Sequence, residues 1–256
     1  ITLFTHPNSH PYDSGLIIAG KHNEVLAWLS KEDARPQFYK NRVNAGIHII
    51  DPQVIDMTDI DPDSVGTIGE DGKTIKVDLD RQLLKPMAGK GGMYCYDSPE
   101  YVKDMGTPER FRMVEHDFKK GIVKSKRLSN KQKAVFLDRD GTINKYKGFL
   151  TDIDEFELID GAAEAIKQIN NSGYLCIVVT NQPVIARGEL TIEELDQIHN
   201  KMETLLGYEG AYIDGLYYCP HHPHKGYIGE IPELKIDCQC RKPKPGMLLK
   251  AAEDYN

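Results

Sequence analysis

Long apolar runs are missing from this 256-residue sequence, of which 40% is hydrophobic. No run approaches the roughly 20 residues that a membrane-spanning helix needs, and we expect no signal peptide. A basic excess is missing too, since 32 Lys and Arg stand against 39 Asp and Glu, and the formal net charge is −7. Binding to nucleic acids or membrane surfaces by counterion release needs a basic face. We therefore expect a soluble, cytoplasmic protein with neither kind of partner.

Cysteine is scarce and unevenly placed. The chain has five cysteines, an odd number, and Cys219, Cys238 and Cys240 lie beside several histidines. Without a secretory signal, this pattern indicates metal binding rather than disulfide bonds. Three thiolates and one imidazole make up a ligand set that a structural zinc ion takes. The candidate imidazoles are those of His221, His222 and His224.

The first 120 residues have the mixed pattern of an α/β domain. Turn residues at 20–23 separate two apolar segments and predict a hairpin over 14–29. Thr107 and Pro108 predict the N-cap and first residue of a helix that ends near residue 120. The segment 121–133 is polar and basic, and we interpret it as a linker. Further predicted elements are a strand over 45–50, a helix over 78–87 and a short strand over 92–96.

From residue 134 onward, predicted strands and helices alternate. The segments AVFL at 134–137 and LCIVVT at 175–180 are apolar throughout, which is typical of strands buried on both faces of a parallel sheet. Residues 160–171 between them have a helical period that Gly173 ends. A strand, a helix and a second strand form a crossover unit, so we expect an α/β domain with a parallel sheet. A capping-box pattern begins a further helix at Thr191.

Two aspartates directly follow the first of these strands. Asp138 and Asp140 belong to the string DRDGT and lie at the carboxyl end of a predicted parallel strand, where open α/β sheets bind their ligands. Thr180 and Asn181 end the second strand at the same edge. One carboxylate of such a pair serves as a nucleophile or metal ligand, and the other as an acid or base. The alternative is a solvated turn, because Asp and Gly are common turn residues.

The C-terminal half resembles the haloacid dehalogenase superfamily of phosphatases. Within it, the likeness is to the branch that contains heptose-bisphosphate phosphatases and histidinol-phosphate phosphatases. The resemblance covers residues 134–256 almost continuously and implies a Rossmann-like, doubly wound parallel sheet that carries phosphatase activity. The strings that resemble the branch are FLDRDGTIN at 136–144, VVTNQPVIARGELT at 178–191, and CPHH and CQCRKPKPGML between Cys219 and Leu249.

This resemblance implies roles for individual residues. Asp138 is the nucleophile that accepts the phosphoryl group, and Asp140 protonates the leaving sugar oxygen and then activates the hydrolytic water. Mg²⁺ is held by Asp138 and by the backbone carbonyl of Asp140. The implied ligands of the phosphoryl group and substrate are Thr180, Asn181, Arg187, Arg241 and Lys242.

The same branch carries a zinc cluster. The resemblance to this branch implies that His221 is the imidazole ligand. It also implies that zinc is structural, because the ion would hold a loop that ends at Arg241 and Lys242. The chain departs from the branch at Pro183 and Val184, where single-domain relatives read NQSG, and this proline alters a loop near the phosphate. The implied zinc ligands are Cys219, His221, Cys238 and Cys240.

The first half resembles the latter part of sugar-1-phosphate nucleotidyltransferases, such as mannose-1-phosphate guanylyltransferases. The strings are NAGI at 44–47 and DMGTP at 104–108. The resemblance implies that Asp104 binds a catalytic Mg²⁺ and that a nucleoside triphosphate is a partner. The alternative is that Asp104 is a turn residue beside a helix. The expected division is a partial nucleotidyltransferase domain at 1–120, a linker at 121–133 and a phosphatase domain at 134–256.

Two motifs of the resembled families have no counterpart in the sequence: a Gly-rich nucleotide-binding loop and a fourth phosphatase motif with an acidic pair. We therefore expect a natural polypeptide that extends beyond both ends, as a fusion of the two enzymes. Its phosphatase part would remove the 7-phosphate of D-glycero-D-manno-heptose 1,7-bisphosphate, and its transferase part would form an NDP-heptose, with GDP favoured. The alternatives are a histidinol-phosphate phosphatase and a non-catalytic module held by zinc. No feature of the sequence indicates an oligomeric state.

Overall fold

The computed structural model describes residues 1–57, 65–68 and 73–256. The chain divides into two compact units, and this division differs from the predicted boundary at residue 120. Residues 99–120 belong to the C-terminal unit. The N-terminal unit contains residues 1–6, 13–35 and 42–98, and the C-terminal unit contains residues 7–12, 36–41 and 99–256.

The N-terminal unit is built on a five-stranded mixed sheet with the order β3-β2-β4-β1-β5. The predicted hairpin is confirmed, since β2 and β3 pair antiparallel with Ile17 opposite Trp28. Both side chains belong to the core of this unit, together with Leu3 and Met93. The five strands are β1 (Thr2–His6), β2 (Leu16–Ala19), β3 (Val25–Leu29), β4 (Val43–Ile49) and β5 (Tyr94–Asp97).

The helix predicted over 78–87 takes a different form. The structure has a π-helix at Leu79–Leu84, followed by a 3₁₀ helix at Lys85–Met87. Asp78 begins the segment, because its carboxylate accepts a hydrogen bond from the Arg81 backbone N at 2.9 Å. Pro86 has no backbone N–H to donate, so a regular α-helical ladder does not continue through it. A second 3₁₀ helix at Pro52–Met57 follows β4.

The C-terminal unit begins its helical structure with α1 (Pro108–Lys119) and α2 (Ile122–Ser125). Thr107 caps α1 as predicted, since its hydroxyl accepts a hydrogen bond from the Arg110 backbone N at 3.3 Å. The segment interpreted as a linker contains α2, and Lys126 directly after it is only 6% exposed. A polar, basic composition does not reveal that one lysine of the segment is buried. The interpretation as a linker therefore did not include a buried residue.

A three-stranded parallel sheet with the order β6-β7-β8 forms the centre of the C-terminal unit. Strands and helices alternate along the chain, which confirms the α/β class with a parallel sheet. Gly173 has a left-handed φ of 82° at the C-cap of α3, and Thr191 and Glu194 form the predicted capping box of α4. The elements are β6 (Ala134–Leu137), α3 (Ala162–Ser172), β7 (Leu175–Asn181), α4 (Ile192–Tyr208), β8 (Gly215–Cys219) and α5 (Gly246–Tyr255).

The central strand β7 is covered on both faces, which explains why its sequence is apolar throughout. Cys176 and Val178 pack in the core that α3 and α4 supply. The alternate residues, including Ile177, pack in a second core with Met247 of α5. The strand β6 lies at the edge of the described sheet and is less buried than its apolar sequence predicts, with Phe136 39% exposed.

Within the described ranges, the structure has no helix with the length and apolar character needed to cross a bilayer.

Candidate active site and metal centre

The carboxyl ends of the three parallel strands bring the predicted residues to one edge of the sheet. Asp138 directly follows β6, and Thr180 and Asn181 end β7. Asn181 lies opposite Cys219, the last residue of β8, in the parallel register. Because parallel strands end at a common edge, side chains distant in sequence meet there.

Asp138 lies beside Lys242. The Lys242 Nζ atom is 2.6 Å from Asp138 Oδ2 and also donates to the Val179 carbonyl at 2.9 Å. Asp138 Oδ1 accepts a hydrogen bond from the Arg139 backbone N at 2.8 Å. The Asp138 side chain is 45% exposed, so the carboxylate is accessible from solvent while an ammonium group balances its charge.

Asn181 holds the backbone of Lys242. Its Oδ1 accepts from the Lys242 backbone N at 2.9 Å, and its Nδ2 donates to the Lys242 carbonyl at 3.2 Å. The resemblance implied that Asn181 hydrogen-bonds the transferring phosphoryl group. In this structure its amide positions the lysine that faces Asp138, and its contact with a phosphoryl group stays a prediction.

Asp140 is held by three neighbouring side chains. Asp140 Oδ1 accepts from Arg139 Nε and from Asn144 Nδ2, each at 3.1 Å, and Oδ2 accepts from Gln182 Nε2 at 2.9 Å. The second terminal nitrogen of Arg139 lies 2.9 and 3.0 Å from the two oxygens. The orientation of this carboxylate is therefore set by several donors.

Sequence reasoning missed the residues that hold Asp140. Arg139, Asn144 and Gln182 all lie inside the strings that carry the resemblance, but amide and guanidinium groups in a loop indicate no particular partner. Gln182 also donates to Thr180 Oγ1 at 2.8 Å. The only signal available in the sequence was their position. Arg139 and Gln182 each directly follow a predicted site residue, and Asn144 lies four residues after Asp140.

Arg187 lies close to two aromatic rings. Its guanidinium carbon is 3.9 Å from the ring centroid of Phe149 and 4.5 Å from that of Tyr227, and the residue is 8% exposed. A cation over an aromatic face is favoured by the charge distribution of the ring. These contacts give Arg187 a structural role near the loop that contains Pro183 and Val184. Its role as a substrate anchor stays a prediction.

Three thiols and one imidazole form a compact cluster. The Cys219 sulfur lies 3.4 Å from that of Cys238 and 3.3 Å from that of Cys240, and His221 Nδ1 lies 3.2 Å from the Cys240 sulfur. All four ligand atoms lie within 4.8 Å of one another. Sulfur ligands of a tetrahedral zinc ion are about 3.8 Å apart, so the donor set fits one zinc ion after a small expansion.

The structure distinguishes among the three candidate imidazoles. His222 Nδ1 lies 3.2 Å from the His224 carbonyl, and His222 Nε2 lies 3.4 Å from a terminal nitrogen of Arg187. His222 is thus engaged away from the thiols, and His221 is the histidine in the cluster. Arg241 donates to the His221 carbonyl at 3.2 Å, which connects this predicted substrate residue to the metal centre.

Asp104 lies in a turn before α1. Its carboxylate accepts from the Gly106 backbone N at 2.7 Å and pairs with Arg110. In the part of the chain that the structure describes, the cluster at Cys219 is the only group of three or more His, Cys, Asp or Glu residues arranged for a metal ion. Asp104 belongs to no such group, and its role in binding Mg²⁺ stays a prediction.

Comparison with known proteins covers the C-terminal half. Residues 133–256 match the family model described as polynucleotide kinase 3 phosphatase. The D-glycero-beta-D-manno-heptose-1,7-bisphosphate 7-phosphatase of Pasteurella multocida is 48% identical over 126 residues, which are 49% of this chain and 65% of the relative. Its counterpart in Escherichia coli K12 is 46% identical over 122 residues, 48% of this chain and 61% of the relative. The chain thus spans less than two thirds of these relatives.

Two solved structures are similar over 48% of this chain. A D,D-heptose 1,7-bisphosphate phosphatase from B. bronchiseptica, complexed with magnesium and phosphate, is 34% identical with a TM-score of 0.42, over 48% of this chain and 64% of that chain. A putative HAD-like phosphatase from Mesorhizobium loti is 35% identical with a TM-score of 0.45, over 48% and 57%. Residues 133–256 thus match that family model, and relatives that the chain matches over about half of its length are named as heptose-1,7-bisphosphate 7-phosphatases.

Proposed function

We propose that the C-terminal unit hydrolyses a phosphate monoester through a phosphorylated Asp138. The observation that carries this proposal is the accessible Asp138 carboxylate, 2.6 Å from Lys242 Nζ at the carboxyl edge of the parallel sheet. Hydrolysis of phosphate monoesters is among the slowest uncatalysed reactions, with enzymatic accelerations up to about 10²¹. Covalent catalysis together with neutralised charge lowers such a barrier.

The chemistry divides into two steps. In the first, an Asp138 oxygen attacks phosphorus, the bond from phosphorus to the sugar oxygen breaks, and protonated Asp140 gives its proton to that oxygen. In the second, Asp140 takes a proton from a water molecule, whose oxygen attacks phosphorus and releases Asp138. Lys242 offsets negative charge at Asp138, and Thr180 and Asn181 border the site at the end of β7.

A magnesium ion fits the donors at Asp138. Mg²⁺ binds oxygen ligands, keeps several waters and uses one or two protein carboxylates. The exposed Asp138 carboxylate supplies one such ligand, and we propose the Asp140 backbone carbonyl as the second. The ion would supply positive charge against the phosphoryl oxygens.

For the substrate, we propose D-glycero-D-manno-heptose 1,7-bisphosphate, with loss of the 7-phosphate. The support is that relatives 46–48% identical to the C-terminal half are named as 7-phosphatases of this sugar. We further propose that the sheet continues into the doubly wound, Rossmann-like order of the superfamily, and that the enzyme acts in the cytoplasm. Arg187 and Arg241 are the proposed anchors for polar groups of the sugar.

We propose a structural zinc ion at Cys219, His221, Cys238 and Cys240. Four protein ligands complete a tetrahedral coordination shell and leave no position for a reacting water. The ion would join the end of β8 to the segment that carries Arg241 and Lys242. Zinc binding would therefore hold the lysine segment beside the carboxyl edge of the sheet.

For residues 1–120, we propose part of a nucleotidyltransferase that uses heptose 1-phosphate and a nucleoside triphosphate, with GTP favoured. The support is the pair of strings at 44–47 and 104–108, with Asp104 as the proposed Mg²⁺ ligand. The product of the phosphatase reaction would then be the substrate of the transfer. Formation of GDP-heptose by the natural polypeptide tests this coupling, and absence of any NDP-heptose with all four nucleotides would contradict it.

Phosphate release by the natural polypeptide in Mg²⁺ buffer tests the phosphatase proposal. We expect release from heptose 1,7-bisphosphate, loss of release in Asp138→Asn, and phosphate label retained on acid-quenched wild-type protein only. Asp154→Asn is the matched control, because Asp154 is an exposed carboxylate outside the site. Release only from histidinol phosphate, or only from a 3′-phosphorylated oligonucleotide, would overturn the proposed substrate, and activity retained in Asp138→Asn would overturn the nucleophile.

A further inference from the structure

A buried guanidinium lies between the two site aspartates. Arg139 is 0% exposed, although it occupies the variable position of the motif that Asp138 and Asp140 define. Removing an arginine from water is costly unless its N–H groups find acceptors. The hydrogen-bond partners of this side chain therefore indicate its role.

Arg139 donates hydrogen bonds to the Asp140 carboxylate from two of its guanidinium nitrogens. Nε lies 3.1 Å from Asp140 Oδ1, and one terminal nitrogen lies 2.9 Å from Oδ1 and 3.0 Å from Oδ2. Such forked pairs set the plane of a carboxylate as well as its distance. Arg139, directly before Asp140 in sequence, thus supplies the charged share of the donors that orient this carboxylate, beside Asn144 and Gln182.

The other side of the guanidinium is held from α4 and from the loop after β7. The remaining terminal nitrogen of Arg139 lies 3.2 Å from His199 Nε2, and the nitrogen facing Asp140 also donates to Gln182 Oε1 at 3.1 Å. His199 is 5% exposed and belongs to the helix face that carries Ile198 and Met202 into the core. This helix position is far in sequence from the aspartates.

The protonation of His199 agrees with an acceptor role. Burial, followed by the positive charge of Arg139, lowers the pKa of His199 well below its ordinary value. A neutral imidazole has one nitrogen that accepts a hydrogen bond, and here Nε2 faces the guanidinium. The ring also lies 5.6 Å from the Tyr218 ring, measured between centroids.

We infer that Arg139, anchored by His199, is a positioning residue that orients Asp140 for proton transfer to the leaving oxygen. This inference rests on the proposed phosphatase function. Proton transfer depends on a hydrogen-bond geometry between acid and leaving atom, and an unanchored guanidinium would let the carboxylate turn. The side chains of Arg139 and His199 act through Asp140.

The leaving group supplies a readout that separates this role from a merely structural one. A sugar oxygen leaves as a poor alkoxide unless it is protonated, whereas 4-nitrophenolate leaves without a proton. The ratio kcat/KM reports steps through the first irreversible phosphoryl transfer and excludes the later attack of water. Loss of Asp140 orientation should therefore lower kcat/KM for the sugar phosphate far more than for 4-nitrophenyl phosphate.

The experiment compares His199→Leu, which removes the acceptor, with His199→Gln, whose side-chain carbonyl replaces Nε2. Both substrates are assayed with the natural polypeptide in Mg²⁺ buffer, with Asp140→Asn as the reference for a lost acid. We expect His199→Leu to lower kcat/KM for the sugar bisphosphate by roughly 10- to 100-fold and for the aryl phosphate by less than about 3-fold. His199→Gln should restore most of the sugar phosphate activity.

A second variant guards against misfolding. Arg139→Met removes the fork directly, and its thermal midpoint shows whether the variant is folded. The same substrate-dependent loss in Arg139→Met supports the inference. Equal losses on both substrates in His199→Leu, or unchanged turnover of the sugar bisphosphate, would overturn the positioning role while leaving the phosphatase proposal intact. A wild-type protein inactive on both substrates would instead contradict the proposed function.

Discussion

Asn181 and Lys242 exchange two hydrogen bonds across 61 residues of sequence. The amide oxygen accepts from the Lys242 backbone N at 2.9 Å, and the amide nitrogen donates to the Lys242 carbonyl at 3.2 Å. One side chain thereby pairs with both backbone groups of one residue, as a neighbouring strand would. The pair joins the end of β7 to the segment after the zinc cluster and places the lysine Nζ against Asp138.

Replacement of Asn181 by Leu should displace Lys242. We expect kcat for phosphate release to fall by roughly 100-fold, because displacements of about 1 Å at a reacting centre have effects of this size. Asn181→Asp keeps the acceptor for the Lys242 N–H but loses the donor, so its loss should be smaller. Asn171→Leu, at an exposed position of α3, is the control. Wild-type kcat in Asn181→Leu would show that the lysine is held by other contacts.

Removal of zinc should destabilise the C-terminal unit. We expect one zinc ion per chain by elemental analysis, lost on chelation and in Cys238→Ser, with a thermal midpoint lower by more than about 5 °C. The reason is that metal binding energy is also folding energy when the ligands come from separate segments. Cys95→Ser should retain zinc, because Cys95 lies in the core of the N-terminal unit. Unchanged stability after complete removal of the ion would refute a structural role.

Lys126 should stabilise the C-terminal unit from within the segment first interpreted as a linker. Its Nζ donates to the Tyr212 hydroxyl at 3.3 Å. Burial by itself would lower the pKa of Lys126, but attraction to Asp214 and Tyr212 outweighs it and the net shift is upward. Asp214 has a buried oxygen without a hydrogen-bond partner. Lys126→Met would remove the positive charge that compensates the buried negative charge of Asp214.

We expect Lys126→Met to lower the free energy of unfolding by about 2 kcal/mol, measured by urea denaturation. Lys124→Met, at an exposed position of α2, should change it by less than about 0.5 kcal/mol. Equal effects of the two substitutions would mean that the buried ammonium contributes no more than a surface charge.

His199 should make the stability of the C-terminal unit depend on pH. Its pKa in the folded state is lowered by burial and by Arg139, so below pH about 6.5 the unfolded chain binds a proton that the folded chain excludes. The stabilisation is therefore present above that pH and is lost as the pH falls, by up to about 1.4 kcal/mol per unit. Unfolding free energies at pH 7 and pH 5 should differ more in wild type than in His199→Gln. Identical differences would contradict a neutral, buried imidazole.

Elements with a strong local signal were predictable from the sequence. The hairpin of β2 and β3, the Thr107 cap of α1 and the capping box at Thr191 all depend on residues within one turn or hairpin, and the structure confirms them. The helix over 78–87 was not predictable in its observed form. Periodicity does not distinguish a π-helix followed by a 3₁₀ helix from a regular α-helix, because the apolar positions are similar.

Burial was less predictable than element type. The strands β6 and β7 are both apolar. In the described sheet, β7 pairs with a strand on each side, whereas β6 lies at the edge and its Phe136 is 39% exposed. Lys126 shows the opposite error, since a lysine in a polar segment is 6% exposed. Burial depends on which elements pack against a segment, and composition does not contain that information.

The α/β pattern of the C-terminal half, the aspartate pair after its first strand and the three cysteines of the metal cluster are all predictable from the sequence. These features follow from local spacing and from the residue types that such chemistry uses. The structure places His221 rather than His222 with the thiols, as the resemblance implied. It also reveals that Asn181 holds Lys242 and that His199 supports Arg139, which no pattern in the sequence indicated. Those contacts join segments far apart in the chain, so the packing of strands and helices, and not any local pattern, brings them together.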